Sequence, residues 1–242
     1  MTNYKKFSDD KVFQARDALK GRFGASLFDF VDQFPLFACP QTMLRYQYIQ
    51  SLLESILRVP GDICEFGTWK GATAIYLAKM LDELEPQSSR KVIVFDNFSG
   101  LPSPSQHDGT GAIGQTGNYH GDLESLKFII DSFDLSHRVE LVQGDANKTV
   151  PQYFAEKSYL LISLAYFDFD LYDPTIAAWN AIKSNMNKSS LIAFDEGLDQ
   201  QLWVGEYKAA KEILDEIERS GRDFHVESNR ISRQPQLTIR LN

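Results

Sequence analysis

Five short apolar runs recur between residues 62 and 197: "DICEFG", "KVIVFDN", "VELVQGDA", "YLLISLAYFDF" and "SLIAFDEG". Each is rich in Val, Ile, Leu or Phe, and each ends in an acid. Near-continuous apolar runs of this length, separated by helical patterns, are strands covered on both faces, so the chain is restricted to an α/β fold around a parallel sheet. Between the first two runs, Ala74, Leu77, Ala78 and Leu81 form a helical stripe, and after the fifth, Tyr207, Ala210, Ile213, Leu214 and Ile217 form another. Both helices are expected to pack on the sheet. Near the end, "DFHVES" and "QLTIRLN" alternate with period two, and the polar link "NRISRQP" leaves no room for a crossover helix, so the two are expected to pair antiparallel at one edge.

Ahead of these runs, Ile49, Leu52, Leu53 and Ile56 recur at helical spacing until "VPGD" breaks the pattern. Residues 1–60 therefore read as a helical extension, and 61–242 as the main domain, with no internal repeat. The extension's amphipathic helix leaves apolar surface for a homodimer or higher assembly. A hydrophobic fraction of 43% supports a sizeable core. The formal net charge of -8 opposes attraction to nucleic acid or anionic lipid and favours a small-molecule partner. The start has no apolar signal region, and no run approaches the roughly 18 to 20 apolar residues that would span a membrane. Cys39 and Cys64 lack metal-ligand spacing and read as reduced core thiols, which suits the cytoplasm.

The acids at the strand ends are Glu65, Asp96, Asp145, Asp168 and Asp195. Ligands of open α/β sheets bind beyond the carboxyl ends of the strands, and five carboxylates on one rim repel one another unless cations, hydroxyls or amines bind there. The turn "EFGTWKGAT" has Gly67 and Gly71 where a strand enters a helix, but Trp69 replaces the middle glycine of a dinucleotide fingerprint. Such a turn suits a ligand carrying its own ammonium and hydroxyls, and it also suits plain helix packing. Residues 102–121, "PSPSQHDGTGAIGQTGNYHG", are expected to form a mobile active-site loop. Asp173 and Pro174 read as the N-cap and first residue of a helix. Trp203 reads as core rather than as an acceptor platform.

Together, "GDICEFGTWKGATAIYLAKML", "VIVFDNFSGLP", "VQGDA", "FDFDLYDPT" and "LIAFDEG" resemble the S-adenosylmethionine-dependent sugar O-methyltransferases of the macrocin and mycinamicin type, in matching order over residues 43–215. The resemblance implies a Rossmann-like class I methyltransferase fold. It places Glu65, Gly67 and Thr68 at the methionine part of the cofactor, Asp96 at the ribose hydroxyls, and Asp145 and Ala146 beside the adenine. Asp145 reads secondarily as a cap for the following helix. The family also binds a divalent metal, usually magnesium, through positions matching Asp168, Asp195 and Glu196. Glu196 stands where relatives commonly have aspartate, and Tyr166 where a histidine is common.

The implied reaction moves a methyl group to a sugar hydroxyl whose proton a base removes. Asp168 is the first candidate for that base and His120 the second, although a loop histidine is also commonly just solvated. Asp170 is placed to orient Asp168 or a ligand. The other readings are a catechol-type O-methyltransferase and a non-catalytic cofactor-binding protein of the same fold.

Overall fold

The computed structural model describes residues 31, 34–228 and 235–242. The apolar runs form β1 (Asp62–Phe66), β2 (Val92–Asp96), β3 (Val139–Gln143), β4 (Ile162–Phe167) and β5 (Met186–Phe194), and the two alternating segments form β6 (Phe224–Ser228) and β7 (Leu237–Leu241). They make one seven-stranded sheet of order β3-β2-β1-β4-β5-β7-β6. The first five strands are parallel, and β7 runs antiparallel to both β5 and β6. This is the expected mostly parallel sheet with an antiparallel edge. Most of the link between β6 and β7 lies outside the described residues.

The helices are α1 (Pro40–Ile56), α2 (Ala72–Leu84), α3 (Leu123–Ser132), α4 (Ala146–Glu156), α5 (Tyr172–Ile182) and α6 (Val204–Arg219), with a single helical turn at Phe34–Phe37 before them. The chain divides into two compact units, residues 1–48 and 49–242. In the first, the Cys39 thiol and the Thr42 hydroxyl are hydrogen bonded at 3.3 Å, and residues 1–30 of the expected extension lie outside the described residues. In the second, Ile49, Leu52, Leu53 and Ile56 are buried, as is the α2 stripe of Ala74, Leu77, Ala78 and Leu81. Among the described residues no helix is long and apolar enough to cross a membrane.

One feature of the packing positions the rim. Phe95, Phe66, Phe167 and Phe194 lie in register on the neighbouring strands β2, β1, β4 and β5. Their rings stack in sequence, with centroids 5.3, 4.7 and 4.9 Å apart. Offset stacking of this kind adds about 0.5–1.5 kcal/mol per pair beyond the area buried. The residue after each Phe is Asp96, Gly67, Asp168 or Asp195, so an aromatic floor lies directly beneath the strand ends. Cys64 belongs to the same buried cluster, and desolvation pushes its thiol well above the usual range.

Three local expectations are corrected. β5 begins at Met186, four residues before the apolar run, because polar Asn187, Lys188 and Ser189 join the strand through an irregularity in its pairing with β4. Asp173 is not the N-cap of α5: Leu171 is, and Asp173 and Pro174 lie within the first turn. The amide of Tyr172 donates instead to Asp108 Oδ1, at 2.7 Å, from a distant loop.

That loop is the third correction, because the segment expected to be mobile is held at several points. Its ends meet through Leu101 N to Asn118 O (2.8 Å) and Gly117 N to Leu101 O (2.9 Å). Asp108 is buried, accepts from the Ser105 and Tyr172 amides, and packs so closely on Gly205 that a Cβ there would collide with it. Ala112 joins a small buried cluster with Leu171 and Trp203. Asp108→Ala strips the acceptor from two amides and is expected to cost about 1–3 kcal/mol. Urea unfolding should show a lower midpoint at unchanged slope; an unchanged midpoint would mean that the loop is not held by this carboxylate.

Candidate active site

The sheet order makes β1 a switch point, since the chain lays β2 and β3 on one side of it and β4 and β5 on the other. The crevice outside the carboxyl ends of β1 and β4 is where such sheets bind ligands. The five strand-end acids share that edge, but they do not form one cluster. They separate into a turn built by β1 and β2, an outlying cap at β3, and an acidic group at β4 and β5.

At the first of these, Gly67 has φ +90°, and a Cβ there would strike the carbonyl oxygen of Asp168, so glycine allows β1 and β4 to close on each other. The Gly67 amide donates to Phe95 O at 2.9 Å and the Asp168 amide to Phe66 O at 2.8 Å, which ties the ends of β1, β2 and β4 together. Glu65 is buried and accepts from the Thr68 hydroxyl at 3.0 Å. Asp96 accepts from the amides of Thr68 (2.8 Å), Trp69 (3.1 Å) and Phe98 (2.6 Å). Its carboxylate therefore shapes the turn, and with about four lone-pair sites it retains room for one more donor.

Asp145 takes the cap role. It accepts from the Asn147 amide at 3.1 Å and the Asn147 side chain at 3.0 Å, and these bonds hold its carboxyl below the usual range. Ala146 follows as the first residue of α4 and is buried. Asp145 belongs to the far end of the parallel set, since β3 lies three strands from β4.

Around β4 and β5 the acids meet. Asp195 Oδ1 accepts from the Tyr166 hydroxyl at 2.6 Å and from Gln236 Nε2 at 2.7 Å, both donors being buried. Tyr166 thus has a definite task, holding the Asp195 carboxylate. Glu206, on α6, is fully buried; Oε2 accepts from the Asp170 amide at 2.9 Å and Oε1 from the Glu196 amide at 3.0 Å. One carboxylate therefore joins the turn after β4 to the turn after β5. Asp170 has φ +64°, a left-handed conformation that costs about 1–3 kcal/mol for a side-chain-bearing residue. Desolvation, then the charges of Asp168, Glu206, Glu196 and Asp195, push Asp170 well above the usual carboxylate range. Desolvation and then Asp168 push Glu206 up as well, against the pull of its two amide bonds.

Several hard oxygen donors that raise one another's pKa are the chemistry of a divalent cation such as magnesium or calcium. Among the described residues, however, no three His, Cys, Asp or Glu side chains are gathered into a metal site. The expected ligand set of Asp168, Asp195 and Glu196 lies at the ends of β4 and β5 without being gathered into such a site, and the neutral donors Tyr166 and Gln236 engage Asp195 Oδ1.

His120 is exposed on the loop, just before Gly121, whose Cβ would collide with the Trp69 carbonyl. At its neighbour Tyr119, desolvation, then Asp170, Glu196 and Asp168, push the phenol up.

Sequence reasoning missed Glu206, Asp108, Gln236 and Tyr119. Only Glu206 left a signal. It precedes Ala210, Ile213 and Ile217 by four, seven and eleven residues, so it lies on the buried face of α6, where a carboxylate needs a reason.

The Macrocin-O-methyltransferase (TylF) family profile matches residues 12–222. Among curated proteins, the 8-demethyl-8-(2,3-dimethoxy-alpha-L-rhamnosyl)-tetracenomycin-C 4'-O-methyltransferase of Streptomyces olivaceus is 23% identical over 63% of this chain and 59% of its own length. The mycinamicin III 3''-O-methyltransferase of Micromonospora griseorubida is 37% identical over 27% of this chain and 26% of its own. The matches thus span less than two thirds of either relative. Among solved structures, the calicheamicin methyltransferase CalS11 superposes with TM-score 0.81 at 30% identity, covering 95% of this chain and 91% of CalS11. A second structure of CalS11, described as a TDP-rhamnose 3'-O-methyltransferase, gives TM-score 0.73 at 29% identity, covering 95% and 93%. The fold is that of the class I S-adenosylmethionine-dependent methyltransferases, and the chain belongs to the macrocin O-methyltransferase (TylF) family.

Proposed function

We propose that this protein transfers the methyl group of S-adenosylmethionine to a hydroxyl of a sugar, with a divalent cation, magnesium by preference, held by Asp168, Asp195 and Glu196. The observation that carries this reading is the pairing of two half-sites over one aromatic floor: the turn at Gly67–Trp69, hung from Asp96, and the acidic group joined through Glu206. Glu65, Gly67 and Thr68 would take the methionine part of the cofactor. Asp96 would use its remaining lone pair on the ribose, and Asp145 and Ala146 would border the adenine from the start of α4.

A cation at the acids supplies a Lewis acid that makes a neighbouring hydroxyl easier to deprotonate. Asp168 holds the acceptor hydroxyl and takes its proton as that oxygen attacks the sulfonium methyl in line; a C–O bond forms, the C–S bond breaks, and S-adenosylhomocysteine leaves with the electron pair. Phe66, Phe95 and Phe167 exclude water from beneath the strand ends, which strengthens the charges acting there. The names of the relatives, which act on rhamnosyl groups, mycinamicin III or TDP-rhamnose, support a glycosidic or nucleotide sugar as acceptor.

Calorimetric titration with S-adenosylmethionine and S-adenosylhomocysteine, with and without magnesium, tests this first. Micromolar binding, about -8 kcal/mol, is expected for both, followed by methyl transfer to sugar acceptors and none to catechols. Absence of cofactor binding sinks the proposal. Transfer to catechols alone replaces it with the catechol-type reading, and cofactor binding without any transfer replaces it with the non-catalytic one.

A further inference from the structure

Two aromatic residues beside the acids are held in an unfavourable backbone conformation. Trp69 has φ +52° and Tyr119 φ +58°, where residues with a Cβ rarely lie. Each costs about 1–3 kcal/mol and persists only because its surroundings fix it. For Trp69 the fixing group is Asp96, which accepts its amide. For Tyr119 it is the closed loop: Asn118 is bound to Leu101 on one side, and Gly121 packs on the Trp69 carbonyl on the other.

The two rings meet edge to face, with centroids 5.6 Å apart at 87°, and Tyr119 meets Trp203 in the same manner at 6.1 Å and 66°. Trp203 is buried and belongs to the cluster that anchors the loop through Ala112 and Leu171. It forms a rigid back wall. Trp69 and Tyr119 remain 48% and 45% exposed, so strained backbone and three-ring packing leave about half of each residue's surface open to solvent. Packing alone does not account for that, since large aromatic rings contribute by being covered. The Lys70 ammonium lies 4.7 Å from the Trp69 ring centroid, which leaves Tyr119 as the less encumbered ring. Burial, and then the charges of Asp170, Glu196 and Asp168 acting through space, push the Tyr119 phenol up.

An aromatic surface beside a row of carboxylates matches a pyranose. The C–H groups on one side of a sugar ring carry small positive charge and lie against the negative face of an aromatic ring, while vicinal hydroxyls donate to carboxylates. We propose that Tyr119, braced between Trp69 and Trp203, is the acceptor platform of this site: the C–H face of a pyranose lies on its ring, with the reacting hydroxyl directed to Asp168 and Glu196. This rests on the sugar methyl-transfer reading and adds what holds the sugar. It also gives loop 102–121 a task, since Asp108 and Ala112 anchor the segment that carries Tyr119 to the rim.

The test uses the full chain saturated with S-adenosylhomocysteine and magnesium, titrated calorimetrically with TDP-rhamnose and with methyl α-L-rhamnopyranoside, with thymidine diphosphate as the control for the nucleotide. Tyr119→Ala is expected to weaken both sugars by about tenfold or more, while Tyr119→Phe keeps most of the affinity because the ring remains. Binding of S-adenosylhomocysteine and of thymidine diphosphate should change by less than about twofold in either variant. Unchanged sugar affinity in Tyr119→Ala overturns the inference, and so does a loss shared equally by sugar and S-adenosylhomocysteine. A wild-type chain that binds S-adenosylhomocysteine but neither sugar also overturns it and leaves the cofactor assignment standing. Failure to bind S-adenosylhomocysteine overturns the reading beneath it.

Discussion

Asp168→Asn is expected to lower methyl transfer by at least about 10²-fold, and by about 10³-fold if base and cation ligand are lost together. The substitution is nearly isosteric, and the Asp168 backbone is fixed by its own amide bond to Phe66 O at 2.8 Å. What changes is charge and basicity: an amide neither accepts a proton near neutral pH nor neutralises a dication. The turn proposed to hold the cofactor hangs from Asp96 and not from Asp168, so affinity for S-adenosylhomocysteine should stay within about twofold of wild type. His120→Ala, made alongside, is expected to lower the rate by less than about tenfold, below the range of a lost general base. Near-normal turnover in Asp168→Asn together with a collapse in His120→Ala would reverse the roles and move the base to the loop.

The parallel sheet was legible because each of its strands carries a short apolar run, a pattern that few other folds use. Its antiparallel edge was legible from a change of period to two between Phe224 and Leu241. The acids could be placed on one edge of the sheet, but their division was not legible, because it depends on strand order. Glu65 and Asp96 lie on one side, Asp168 and Asp195 on the other, and Asp145 serves as a cap at the far strand.

Contacts between distant residues overrode local preference elsewhere. Asp173 and Pro174 have the composition of a helix start, yet the helix begins two residues earlier, with Leu171 as N-cap and Asp108 accepting the Tyr172 amide across 64 residues of chain. A Gly-rich polar loop reads as mobile when its anchors are a buried carboxylate and one alanine, since neither has a signature in sequence. Tyr166 and Gln236 converge on Asp195 from 29 and 41 residues away, and no spacing rule relates them. Glu206 differs, since counting along α6 puts it on the apolar face beside Ala210 and Ile213.

Replacing Glu206 is expected to damage stability and catalysis together. Its carboxylate is fully buried, and each oxygen is committed to one backbone amide, Asp170 N at 2.9 Å and Glu196 N at 3.0 Å. Glu206→Ala leaves both amides unsatisfied in a site from which water is excluded. At about 1–3 kcal/mol for each orphaned group, the loss should reach about 2–4 kcal/mol after partial relaxation, read as a lower urea midpoint. Glu206→Gln is the sharper test. The Glu206 carboxyl offers an acceptor oxygen to each amide, whereas glutamine offers one and sets its own N–H donors against the other. Glutamine should therefore behave more like alanine than like glutamate, in spite of its size. With one bond gone, the turns carrying Asp168–Asp170 and Asp195–Glu196 lose their common anchor. Methyl transfer should then fall by about 10²-fold, the cost of misplacing groups by an ångström. Wild-type stability and turnover in Glu206→Gln would show that burial at this position, and not the paired amide bonds, is what the fold requires.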